Sequence, residues 1–262
     1  MRHVSRWLLL GMTFLLVTGS QAADVPNLRG SYEGTFVNAS SHNFQAALLP
    51  YIEQDNLRKL SGQLALDGFN PVTFSGIINS NNVCTCFGSG AGTNFTFQAR
   101  WERLGNGAGA VFGTANLPGS NGKARGTLFL FRGMTPTTGV KPVILGNYAG
   151  TFTTAGSTTG GTVVTQITDG TSNIVDGTSN IRIALGLVKN NVANQFALIG
   201  DVGIDRSVVA IGVNANGQVA VVRGYVEQDN LRGTRQLVAT VQIKSAAGVV
   251  LSTHSIIAIL IG

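Results

Sequence analysis

The most constraining feature of this chain is an in–out alternation that recurs between turn signals. In NFTFQARWER (94–103), Phe95, Phe97, Ala99 and Trp101 fall on one side of an extended strand, and Thr96, Gln98, Arg100 and Glu102 on the other. RQLVATVQIK (235–244) separates Leu237, Ala239, Val241 and Ile243 from Gln236, Thr240 and Lys244. KLSGQLAL (59–66) sets Leu60, Leu64 and Leu66 against Ser61, Gln63 and Ala65. Period two is the signature of antiparallel strands with one buried face. Gly, Asn and Asp break the runs at intervals of roughly eight to twelve residues, the spacing of a sandwich or a barrel. One stretch has some helical period, HNFQAALLPYIEQ (42–54), but Pro50 sits in its interior and would break a helix.

A repeat divides the chain. GSYEGTF (30–36) returns as GNYAGTF (146–152), 116 residues later. Each copy places a glycine between two aromatics on one strand face: Tyr32, Gly34, Phe36 and Tyr148, Gly150, Phe152. A residue without Cβ there admits a crossing backbone or ring. GMTPTTGVKP (133–142) lies between the copies and reads as a linker. Strands are expected to begin near Ser31, Ala46, Lys59, Val72, Asn82, Asn94, Gly109 and Arg125, and then near Asn147, Gly161, Ile181, Val192, Ser207, Val219, Arg235 and Val249. The expected fold is all-β, with two tandem repeats at 28–132 and 143–262, each an antiparallel eight-stranded barrel or sandwich. The Gly-x-Tyr opening resembles the first strand of calycin-type barrels such as avidins and lipocalins, with Tyr where those families favour Trp. The resemblance covers seven residues in each half and assigns no binding residue.

Residues 1–22 read as a cleaved signal peptide. Arg2 and Arg6 precede an apolar run of eleven, WLLLGMTFLLV (7–17), which is too short to span a bilayer. Ser20 and Ala22 supply the small residues before a cleavage site, so the mature chain starts at Ala23. Its net charge falls from +6 to +4, with 16 basic against 12 acidic side chains. The Lys and Arg are scattered, and no run longer than Arg58-Lys59 is present to read as a nucleic-acid patch. Charged residues are 11% of the chain, against about 25% in typical domains. Ser, Thr, Asn, Gln and Gly must therefore build the polar surface. The expectation is a periplasmic or extracellular protein with no membrane span in the mature chain.

YIEQDNLR (51–58) and YVEQDNLR (225–232) agree at seven of eight positions. As structure, Asp-Asn suits a tight hairpin turn, and Arg58 and Arg232 could pair with Glu53 and Glu227. As chemistry, Glu53, Asp55 and Asn56, with Glu227, Asp229 and Asn230, offer hard oxygen ligands for a cation such as Ca²⁺. Ca²⁺ takes roughly six to eight oxygens, so other loops would have to contribute. Measured from the two GxYxGTF motifs, the octapeptides sit at offsets of 21 and 79, a difference of 58 and half of 116. That spacing hints at four-strand half-units. A tandem DGTSNIV–DGTSNI (169–181) reads as a duplicated loop, with Asp169 and Asp176 as further oxygen donors.

Cys84 and Cys86 form a lone CTC. Two cysteines in an exported chain point to a disulfide, but residues two apart in a strand lie near the upper limit for bridging. A bend supplied by FGSGAGT would be needed, and two free thiols is the competing reading.

Catalytic constellations are thin. After the signal peptide the histidines are His42 and His254, and no HExxH, GxSxG, P-loop or strand-linked GxGxxG is present. Glu33 and Glu102 are the carboxylates that could work as a pair, with nothing to bring them together. The chain is thus expected to be an exported, non-catalytic β protein. It would bind a small ligand, or contact a surface through polar loops. The alternatives are an outer-membrane β-barrel, for which 7% aromatics leaves little to build two girdles, and a hydrolase whose residues come from distant strands.

Overall fold

The computed structural model describes residues 25–68, 70–90, 93–119, 122–135, 138–170, 181–229 and 233–261. The expected signal peptide, Asp176, Asn230 and Arg232 lie outside the described residues. Eight strands form the first half: β1 (Gly30–Asn38), β2 (Phe44–Gln54), β3 (Lys59–Leu66), β4 (Val72–Ile78), β5 (Val83–Gly90), β6 (Thr93–Gly105), β7 (Ala108–Gly119) and β8 (Gly122–Arg132). Eight more form the second: β9 (Gly146–Thr154), β10 (Gly160–Asp169), β11 (Ile181–Lys189), β12 (Val192–Val202), β13 (Ser207–Val213), β14 (Val219–Asp229), β15 (Thr234–Lys244) and β16 (Val250–Leu260). No strand begins more than three residues from the start read in the sequence.

Every neighbouring pair is antiparallel, and each set closes on itself, β8 onto β1 and β16 onto β9. The protein is therefore two tandem eight-stranded closed barrels. The closing ladders decide between barrel and sandwich. The glycines of the repeated motif belong to them: a Cβ on Gly34 would overlap the carbonyl oxygen of Phe129, and one on Gly150 that of Ile257.

Both lumens are apolar. Tyr32, Phe36, Phe74, Phe95, Phe97 and Trp101 fill the first among aliphatic side chains. Tyr148, Phe152 and Phe196 join Ile, Leu and Val in the second. The interior of a transmembrane barrel is polar, whereas both lumens here are apolar. No helix of the described residues is long and apolar enough to cross a membrane.

A strap and an arginine seal one end of the first barrel. The Tyr32 hydroxyl donates to the Leu28 carbonyl at 2.8 Å, and Tyr148 repeats the contact with Ile144 at 2.7 Å. Burial pushes the ionisation of the Tyr32 phenol far up, against the opposing charge of Arg132. The Arg132 guanidinium stacks 4.9 Å from the Trp101 ring centre and donates to the carbonyls of Asn27 and Arg29. Such a cation over a ring contributes about 0.5–2 kcal/mol, depending on desolvation.

A third apolar layer joins the barrels. Phe112, Phe129 and Phe131 of the first meet Ile199, Ile211 and Val221 of the second. The strands here are buried on both faces. β13, SVVAIGV, is buried at every position after Ser207. Polar ties surround the layer: His42 Nδ1 meets the Ala215 carbonyl at 2.7 Å, Asn106 donates to Ser207, and Thr127 donates to the Gly217 carbonyl. Asp201, only 2% exposed, anchors the linker by accepting from the Met134 amide and from Lys141 Nζ, both at 2.8 Å.

Candidate functional site

The two octapeptides end strands on different barrels, and each lines an open recess on its barrel's outer side. Tyr51, Glu53, Gln54 and Asp55 line the first, facing Lys59 and Ser61 of β3. Arg29 and Ser75 complete it. Glu227 and Gln228 line the second, facing Thr234 and Gln236 of β15 and Asp205 and Arg206 of the neighbouring turn. Alternation explains the placement. Ile52 and Val226 point into the cores, so their neighbours Tyr51, Glu53, Tyr225 and Glu227 point out.

Asp55 folds its own turn. Its Oδ1 accepts from the amides of Leu57 and Lys59, both at 2.8 Å. The Asp55 amide donates to the Lys59 carbonyl, and Arg58 takes a left-handed φ of 68°. Asn79 builds the same turn with Asn82 at φ 61°, and Asn214 with Gly217 at φ 72°. An Asx side chain that satisfies local amides is the physical reason for Asp at this position. The carbonyl of Arg58 accepts from the Ile78 amide, stitching the turn to the next strand. The expected ion pair of Arg58 with Glu53 is absent among the described residues.

Gln54 has a role the alternation did not foretell. Its Oε1 accepts from the Leu28 amide at 2.7 Å, and its Nε2 donates to the Pro26 carbonyl at 3.1 Å. Its own carbonyl accepts from Arg29. Gln54 thus acts as an extra strand for the sealing strap.

The second octapeptide ends in a different loop. Gln54 pairs with Leu60, but Gln228 pairs with Arg235 and Asp229 with Thr234. The last bonded pair encloses three residues in the first hairpin, 56–58, and four in the second, 230–233. The extra residue is Gly233, at φ 65°. The Asp-Asn pair therefore does not set one common register.

The cation candidates are split between the barrels, Glu53, Asp55 and Asn56 on one, Glu227 and Asp229 on the other. The described residues contain no group of three or more His, Cys, Asp or Glu that could hold a metal ion.

Cys84 and Cys86 are free thiols, so the disulfide allowed by the sequence is not formed. β5 stays paired through both positions, with Ile78 and Gly76 on one side and Ala99 and Phe97 on the other. That continuous ladder leaves no bend to bring the sulfurs together. Both thiols line the first lumen. Hydrogen bonding to Cys84, then burial, holds the Cys86 thiol strongly protonated.

Glu33 and Glu102 are not a catalytic pair. Arg182 of β11 grips both oxygens of Glu33 at 3.0 and 3.1 Å. Glu102 accepts from Arg223 at 2.7 Å and from Lys244 at 2.6 Å. Both carboxylates tie one barrel to the other, and the sequence signal for that junction was the loss of alternation in AGAVFG (108–113) and VVAIGV (208–213). His254, at 8% exposure, meets Thr154 Oγ1 at 3.1 Å and Ser252 Oγ at 2.9 Å. Burial and then the charge of Lys189 lower its pKa. The hydroxyl–imidazole contact resembles a nucleophile and its base, but a hydroxyl rather than a carboxylate faces the second nitrogen.

No family model matches this chain, and no curated protein matches it. Among solved structures it is similar to a protein of unknown function from the DUF3598 family of Nostoc punctiforme. The two are 14% identical over 88% of this chain and 95% of that one, with a TM-score of 0.27.

Proposed function

We propose that this chain is an exported, non-catalytic pair of β-barrels that contacts a surface through its outward side chains and loops. The observation that carries this reading is the filled first lumen. Its cavity of about 20 Å³, lined by apolar side chains and the two thiols, has room for about one water. Small-molecule sites enclose about 300–1,000 Å³. The open recesses lie outside, at the octapeptides and beside Phe44 at the barrel junction. Glu33 and Glu102, the two carboxylates weighed as a catalytic pair, are held by basic partners across the junction, which supports a non-catalytic role.

The test is native mass spectrometry of the protein from its own source, with a sedimentation assay on isolated cell-envelope fragments from that source. The bare chain mass and co-sedimentation with the fragments are expected. A stoichiometric small molecule, or a need for detergent, would overturn the reading.

A further inference from the structure

The two barrels meet head to tail. The first docks by the outer face of β6, β7, β8 and β1, and the second receives it on β12, β13 and β14. Both barrels repeat one fold, so each carries a counterpart of the face its neighbour uses. The ladders give the correspondence. Phe129 lies between Phe112 and Thr35 on the adjacent strands. Ile257 lies between Val238 and Thr151, and Thr35 and Thr151 hold the same place in the repeated motif. By the same count Ile259 stands for Phe131. Followed through β7 and β15, the register makes Phe87 the counterpart of Ile211. Phe87 lies between Ser75 and Thr96, and Ile211 between Ile199 and Val221.

Both counterparts are uncovered. Phe129, Phe131 and Ile211 are fully buried in the junction. Ile257 and Ile259 are 51% and 48% exposed, and Phe87 is 59% exposed with Ile77 diagonal to it at 54%. Clustered apolar side chains in water mark an interaction site. The two faces also suit one another in charge. Across the junction Arg182 grips Glu33, and their counterparts are Ser61 and Ala149, so both charges of that pair are gone together. Glu102 and Arg223 correspond to Glu227 and Gln98, a carboxylate and an amide able to donate to it. Thr85 and Thr96 keep the β-branched shape of Val209 and Val221 but add hydroxyls, which makes this contact weaker than the buried junction. β16 lies three strands from β13 around the second barrel, as β8 does from β5 around the first. A neighbour on one face therefore leaves the other face open.

We propose that copies of this chain associate head to tail, the β16 face of one copy's second barrel seating on the β5 face of another copy's first barrel. The mode is the one that already joins the barrels within the chain. The occupant is a second copy because the complementary face is present on this chain in matching register. Such a heterologous contact repeats from copy to copy, closing into a ring or extending as a filament. The proposal goes beyond the surface-contact reading and does not depend on it.

The experiment is sedimentation velocity of the full exported chain from about 1 μM to about 1 mM, a range that covers weak, reversible contacts. The sedimentation coefficient should rise with concentration. Ile257→Lys should abolish the rise by spoiling one face, and Phe87→Lys by spoiling the other. Both side chains are exposed, so the fold should survive, and thermal melting checks that it does. Ile259→Lys and Ile77→Lys repeat the test at second positions. Mixing the Ile257→Lys and Phe87→Lys chains is the decisive step. Each retains the face that the other lacks, so the mixture should form a dimer and nothing larger. A parent chain that stays monomeric over the whole range overturns the proposal. So does association that survives either Lys substitution, or a mixture that stays monomeric. Co-sedimentation with envelope fragments reads the surface contact separately, so either reading can fail while the other stands.

Discussion

Lys244 of the second barrel donates to Glu102 of the first at 2.6 Å, and Arg223 joins the same carboxylate from the next strand. The pairs sit at the edge of a dry layer of Phe, Ile and Val, with the side chains of Lys244 and Glu102 only 11% and 16% exposed. Glu102→Ala would leave a largely buried ammonium without its partner. The expected cost is about 3 kcal/mol, a fall of roughly 6–12 °C in melting temperature for a protein of this size. Differential scanning calorimetry measures it. An unchanged melting temperature would mean that the apolar layer alone holds the barrels together.

The free thiols give a second expectation. Cys84 and Cys86 face a lumen closed by strap and arginine, and Cys86 stays protonated well above its ordinary range. Thiolate is the reactive form, and it requires both ionisation and access. Neither thiol should react with a disulfide reagent in the native protein, and both should react in guanidinium. Fast native labelling would reveal opening of the first barrel.

Much of this architecture was legible because alternation survives wherever only one strand face is buried. β10, GGTVVTQITD, buries Val163, Thr165 and Ile167 and exposes the residues between them, as period two demands. Closure was not legible, because the ladder from Gly34 to Leu130 joins residues far apart in sequence and leaves the alternation unchanged. The turn role of Asp55 could be read from Asp-Asn, since its hydrogen bonds are local. The grip of Gln54 on Pro26 and Leu28 could not, since it crosses between segments that no local pattern relates. Nor could the pairing of Glu33 with Arg182, which is set by how one barrel docks on the other. The unequal hairpins of the two octapeptides did leave a trace in the sequence, the extra Gly233.

Thr165 faces into the second barrel at 1% exposure, between Val163 and Ile167, and its hydroxyl finds no hydrogen-bond partner among the described residues. An unsatisfied buried hydroxyl costs about 1–3 kcal/mol. Thr165→Val keeps the shape and removes the polar atom, so it should raise stability by about 1 kcal/mol, or roughly 2–4 °C. Urea denaturation of the variant and the parent checks this. A loss of stability would instead indicate a bound water that Thr165 holds.

The remaining prediction concerns pH. His254 stands edge-on to Phe152 with 5.0 Å between ring centres, and both its nitrogens face hydroxyls. An unfolded chain protonates this imidazole near its ordinary value of 6.5. Folding lowers the value, through burial first and the charge of Lys189 second. Below about 6.5 the unfolded state therefore takes up a proton that the native state resists. The contribution of neutral His254 is complete above that pH and declines as pH falls towards the lower native value. Melting temperature should drop between about pH 7.5 and about pH 5.5. His254→Gln keeps hydrogen-bonding capacity without titrating, so its profile should be flatter over that interval. Parallel slopes for the variant and the parent would assign the pH response to other groups.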